Sequence, residues 1–335
     1  MNRYRHCKPK VRLDWLVYGF ITVASVIADI GCDNSSGDAR MSFGSSNDIA
    51  SAAPGSFILV YRVNGGPMLG EDLAEFQSIL RLDSASCVAS HEFHRSSADK
   101  PGQPIGTFRT RLDDAVFREV QKLVDAARLD HLPPPTGGGP GTSLLTLEYR
   151  RGHTEIKRTF PSRDFPSLAQ CENLLSELEQ VGGSLNKYPE AAVRVSVEHA
   201  RQPGEADGQF LLTVANIGSL PVLLSDDHGS APDDCITGVR VAEFPEKVSG
   251  VTSPPLKWSH LALASRQEGK AKPDDVLLQP GQSWRAPTVK WTAPHKNVRY
   301  LAQGLWCHYR GPERVNGIYR IRGAAFSEGL EIVPR

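Results

Sequence analysis

A chain of 335 residues, 40% of them hydrophobic, is long enough for two domains of ordinary size, each with its own core. Lys plus Arg and Asp plus Glu number 38 each, but residues 1–31 hold five of the basic and two of the acidic residues, leaving 33 against 36 beyond them. A weakly acidic surface with no basic block argues against nucleic acid or an anionic membrane face as partner.

The chain opens with an export signal. Arg3, Arg5, Lys8, Lys10 and Arg12 form a basic start, Trp15–Ala28 an apolar run, and Asp29-Ile30-Gly31-Cys32 follows. The run is short for a membrane span, which takes about 20 apolar residues. Gly31-Cys32 resembles the end of a bacterial lipoprotein signal, with Asp29 departing from the aliphatic residue of that motif. The resemblance implies a signal peptide over 1–31, lipid attachment at Cys32, and a membrane anchor in the bacterial cell envelope. An ordinary signal or an uncleaved anchor is the alternative. Residues 32–55, rich in Ser, Asn, Asp, Gly and Ala, bury no face and read as a flexible tether.

Residues 56–185 read as an α+β domain. Strands are expected at Phe57–Val63, Phe76–Leu82, Cys87–Phe93 and Ile105–Leu112, the first ended by Asn64-Gly65-Gly66. Asp113 is placed to cap a helix over Asp114–Arg128, whose Phe117, Val120, Leu123, Val124 and Ala127 form one apolar stripe. A Pro/Gly loop, His131–Gly141, precedes a hairpin of Ser143–Tyr149 and Glu155–Phe160 around Arg151-Gly152. A second amphipathic helix over Ser167–Val181 closes the domain, so an antiparallel sheet with two helices is expected.

Residues 190–335 show no helical period. Short runs at Val193–Val197, Phe210–Val214, Pro221–Leu224, Val239–Phe244, Val276–Leu278, Val298–Trp306 and Ile318–Ile321 alternate with turns such as Pro280-Gly281 and Asn316-Gly317. That pattern predicts an all-β sandwich, with Pro245–Lys272 as an irregular insertion.

Of six cysteines, Cys7 leaves with the signal and Cys32 takes the lipid, which leaves two in each half. In an oxidising compartment the simplest pairing is Cys87–Cys171 and Cys235–Cys307; four reduced, buried thiols are the alternative. His91 and His94 fall in a strand, where a spacing of three puts them on opposite faces. Asp226, Asp227, Asp233 and Asp234 are candidate cation ligands, but their spacing matches no ordered calcium loop. Gly137–Ser143 lacks the Lys and the following helix of a phosphate loop. No nucleophile elbow, zinc helix or Cys-x-x-Cys pair occurs, so no metal or cofactor is expected and a binding function is favoured over an enzymatic one.

Two resemblances bear on function. Gly65-Gly66 after the first strand, Leu112-Asp113 entering a helix that ends near Ala127-Arg128-Leu129, the Leu145–Tyr149 strand, Gly152, and the Leu168…Leu174-Leu175…Leu178 helix together resemble emfourin, an inhibitor of thermolysin-type metalloproteases. Val214–Gly218, Leu278–Gly281 and Gly317–Gly323 resemble the immunoglobulin-like, proteinase-inhibitor-like sandwiches of bacterial secreted proteins. Together they imply recognition or inhibition of an extracytoplasmic protein such as a secreted peptidase. Asn64, Gly65, Gly66 and Pro133, Pro134, Pro135 are the candidate contact loops. A hydrolase with its site between the domains, or a structural envelope protein, is the alternative.

Overall fold

The computed structural model describes residues 55–64, 76–94, 101–132, 144–161, 169–200, 207–225, 237–244, 256–264, 275–295, 298–308 and 313–333. The first half contains β1 (Phe57–Asn64), β2 (Phe76–Asp83), β3 (Val88–Phe93), β4 (Ile105–Arg111), α1 (Asp114–Ala127), β5 (Leu144–Arg151), β6 (Thr154–Pro161) and α2 (Ala169–Leu185). The second continues with β7 (Pro189–Ala200), β8 (Asp207–Asn216), β9 (Val222–Leu224), β10 (Gly238–Glu243), β11 (Ser259–Ala262), β12 (Val276–Leu278) and β13 (Ser283–Pro287). It ends with β14 (Trp291–Thr292), β15 (Tyr300–His308), β16 (Arg314–Val315), β17 (Ile318–Arg320), β18 (Gly323–Phe326) and β19 (Leu330–Ile332). The chain is thus mostly β-strand with two helices among the described residues, none long and apolar enough to cross a membrane. A strand, β11, lies inside the segment expected to be an irregular insertion.

One antiparallel sheet runs through both halves in the order β13-β8-β7-β4-β3-β2-β1-β5-β6. The join is β4 to β7, with Ile105 opposite Val193 and Gly106 opposite Ala192. Residues 49–335 accordingly cluster as a single compact unit. Period-two alternation lets this sheet serve two cores. On β7, Ala192 belongs to the first core, whereas Ala191, Val193 and Val195 belong to the second.

The first core packs Phe57, Leu59 and Tyr61 of β1 and Leu80 and Leu82 of β2 against Phe117, Val120 and Val124 of α1 and Cys171, Leu174 and Leu178 of α2. The second joins Val193, Val195, Phe210, Leu212 and Val214 to Val239, Val241, Tyr300, Ala302 and Trp306. Those last five come from a second sheet ordered β11-β10-β15-β18, with β19 beside β15. A small third sheet, β12-β9-β17-β16, contains the parallel pair β17–β9. Its β16–β17 hairpin turns at Asn316-Gly317, both at positive φ (52° and 82°), the backbone that Asn-Gly turns favour.

The Cys87–Cys171 pairing is corrected: both are free thiols. Cys87 stands at the mouth of β3, its Sγ 2.9 Å from Asp114 Oδ1 at the start of α1. Cys171 is instead consumed by packing, fully buried in the first core on α2. Cys307 is disulfide-bonded, with its partner outside the described residues, as Cys235 is.

Candidate functional site

A recess forms among the described residues where α1 ends. Asp113 caps the helix start, its carboxylate accepting from the Ala115 N–H at 2.9 Å. Phe117, Val120, Val124 and Ala127 pin the helix to the sheet. The helix stops at Arg128, which takes a left-handed conformation (φ 45°, ψ 56°) and leads into a single 3₁₀ turn, Leu129–His131. Glycine or asparagine usually fills such a position. Arg158 of β6 reaches this turn, donating from Nε to the Leu129 carbonyl and from a terminal nitrogen to that of Asp130, both at 3.1 Å. It thereby satisfies carbonyls a helix end leaves open and offsets their partial negative charge.

Between this turn and the β5–β6 hairpin lies a groove of about 420 Å³, walled by Val124, Asp125, Arg128, Asp130, His131, Tyr149, Arg151, Thr154 and their neighbours. Arg151 is held by α1: Asp125 Oδ1 lies 3.9 Å from it, and the Gln121 amide, oriented oxygen-first, accepts from both its terminal nitrogens at 3.0 Å. His131 Nε2 stands 3.3 Å from Asp130 Oδ2. Tyr149, only 4% exposed, packs its ring on Phe57 at 5.7 Å between centroids, and its buried hydroxyl lacks a well-formed hydrogen bond. Burial raises the Tyr149 pKa, while the nearby Arg151 guanidinium opposes the rise, so the phenol stays a protonated donor at neutral pH.

The other candidates are placed differently. Asn64 is the last residue of β1, beside a register shift at Val63. Gly65, Gly66, Pro133, Pro134, Pro135, Cys32, Asp226, Asp227, Asp233 and Asp234 lie outside the described residues. His91 and His94 do diverge. His91 Nδ1 is buried 3.1 Å from the Gly182 carbonyl of α2, and His94 Nδ1 lies 3.4 Å from the Arg322 carbonyl. In the third sheet Ser225 Oγ donates to Asp275 Oδ1 at 2.5 Å, and Arg320 donates to Asp275 Oδ2 at 3.1 Å. That set ties β9, β12 and β17 together. Arg240 lies between the rings of Trp258 and Phe326, 4.2 and 4.6 Å from their centroids, and donates to Gln303.

Arg128, Tyr149 and Arg151 were not singled out as functional residues by the sequence pattern. An arginine ending a helix carries no turn signal, and Tyr149 reads as one more alternating strand residue. Compared with protein-family models and with curated proteins, the chain matches none.

Proposed function

We propose that this chain is an exported, lipid-anchored binding protein that recognises or inhibits an extracytoplasmic protein, a secreted peptidase being the leading partner, with Cys32 as the lipid attachment site. The groove at the end of α1 carries the reading. It opens at His131, the first residue of the loop expected to meet a partner, and its walls are tied into the first core. A preformed surface loses little conformational freedom on docking.

On this reading the first half is an emfourin-like α+β module. Two helices covering β1 and β2 support that assignment. The second half is an immunoglobulin-like sandwich, supported by the core shared between β7–β8 and β10–β15. An oxidised Cys307 fits an oxidising compartment, and Cys235 is its proposed partner.

The inhibitor reading is tested by titrating the full chain against a thermolysin-type metalloprotease. A stoichiometric loss of turnover supports it, and full activity at micromolar excess overturns it. Replacing Cys32→Ser should abolish lipid labelling and membrane retention; unchanged labelling overturns the anchor.

A further inference from the structure

We infer that the free edge of β6 is a self-association surface, on which a second copy of the chain adds its own β6 antiparallel about a two-fold axis at Ile156. The inference rests on the strands alone and stands apart from the binding reading above.

This edge is an exception within the fold. β6 closes one end of the long sheet and pairs with β5 over eight residues without a register shift. Every other strand at a sheet border among the described residues is shorter. The longest of them, β13, has five residues and ends on Pro287. Short or proline-ended strands give an incoming strand little to pair with. β6 is exposed or half-buried from Thr154 to Thr159 and becomes buried only at Phe160 and Pro161.

Hairpin geometry fixes which backbone groups are open. The two-residue turn Gly152-His153 closes on Arg151–Thr154 as a hydrogen-bonded pair. The pairs then alternate, so Thr154, Ile156 and Arg158 turn their N–H and C=O groups toward β5. Those of Glu155, Lys157 and Thr159 point away from the sheet, and no other strand among the described residues meets them.

Charge selects both the occupant and the register. Phe160 and Ile156 face the first core, so Glu155 and Lys157 share the opposite face of β6. Their side chains are 62% and 63% exposed. Two copies centred on Ile156 set Glu155 of each opposite Lys157 of the other, and both couples fall at the outward hydrogen-bonding positions. Centring on Lys157 would set lysine against lysine, and centring on Glu155 would set glutamate against glutamate. Within one chain Glu148 already pairs with Lys157 at 2.9 Å, and Arg150 with Glu155 at 2.8 Å. Across the join the row therefore reads Glu148, Lys157, then Glu155 and Arg150 of the second copy, with signs alternating throughout. The axis stands perpendicular to the joined sheet. Thr154 and Ile156 also line the recess at the end of α1, so the recesses of both copies flank that axis on one side of the sheet.

The test uses the purified full chain in mild detergent. On oxidation, Ile156→Cys should yield a disulfide-linked dimer joined through position 156 of both chains. A non-hydrogen-bonded pair sets its Cα atoms about 4.5 Å apart, within disulfide reach. Thr154→Cys should yield none, since its two copies would stand about 14 Å apart along the strands. The parent, which keeps the free thiol of Cys87, is the control. Charge reversal is the second arm, read by sedimentation. Glu155→Lys and Lys157→Glu should each weaken self-association roughly tenfold, because like charges then meet twice. An equimolar mixture of the two should restore the dimer, because every couple across the join is again opposite. A charge effect confined to one chain cannot be rescued by mixing. No linkage at 156, equal linkage at 154, or a mixture that stays monomeric overturns the proposal. Oxidation of Ile156→Cys in the native cells separates the remaining occupants: an adduct of twice the chain mass supports self-pairing, and an adduct of any other mass overturns it.

Discussion

Gly106 of β4 lies hard against Ala191 of β7: a Cβ on Gly106 would stand 2.2 Å from the Ala191 carbonyl oxygen and 2.7 Å from Ala192 Cα. Gly106 also has φ +124°, a backbone that side-chain-bearing residues rarely adopt. This is the contact that makes one sheet of two halves. Gly106→Ala should therefore cost about 2 kcal/mol or more, because backbone must yield to backbone. Gly152→Ala, in the β5–β6 turn at φ +56° with open space around it, should cost only about 1 kcal/mol. Denaturant midpoints of the two variants, compared with the parent, check the difference; equal losses would contradict it.

Stability at the groove should respond in an unusual direction. Arg128→Gly relieves the left-handed strain and should raise stability by about 1 kcal/mol. Tyr149→Phe removes an open buried hydroxyl and should leave stability unchanged or slightly higher. Thermal melts of both variants provide the check, and a drop of several degrees in either would mean that the side chain has a structural partner in the folded protein.

Acid sensitivity should trace to His91. Burial lowers its pKa from the usual 6.5, outweighing the bond to the Gly182 carbonyl and the attraction of Glu92. A folded-state pKa below the unfolded one means the unfolded chain takes up the proton first. This contribution is therefore complete above pH 6.5 and is lost as pH falls from there toward the folded pKa, at up to about 1.4 kcal/mol per pH unit. His91→Gln keeps a donor for Gly182 and should flatten that slope between pH 7 and 5. Denaturation curves across this range, parent against variant, decide it.

The cysteines should separate by reactivity. Cys171 should resist alkylation until the chain unfolds, since it is fully buried. The Cys87 pKa is raised, chiefly by the hydrogen bond to Asp114, so Cys87 should react slowly near neutral pH. Asp114→Ala removes both the bond and the negative charge, and should speed labelling of Cys87. Cys307 should label only after reduction. Mass spectrometry of native and reduced samples reads all three, and a linked Cys87–Cys171 peptide would contradict the free-thiol assignment.

Local pattern made much of this fold legible. Phe57–Val63 alternates cleanly because one face of β1 is buried, and Asp113 before an apolar 3.6-residue stripe marks the start of α1. The strands that escaped notice are short or broken by glycine. Trp291–Thr292 and Gly323–Phe326 span too few residues to reveal a period. The join of β4 to β7 was hidden for a different reason. It depends on a close approach at Gly106, and nothing next to Gly106 in the chain announces what lies 85 residues away. The groove escaped on similar grounds: Arg128 adopts a backbone its residue type does not advertise, and the open hydroxyl of Tyr149 exists only after burial.

Whether the groove is the working surface is tested most directly by a photoreactive residue placed at Thr154 in its wall, with a second at Glu331 on β19 as control, each in the full chain expressed in its native cells. The predicted result is one discrete adduct from position 154, heavier than the chain alone and not formed from position 331. No adduct at 154, or the same adduct from both positions, would contradict it.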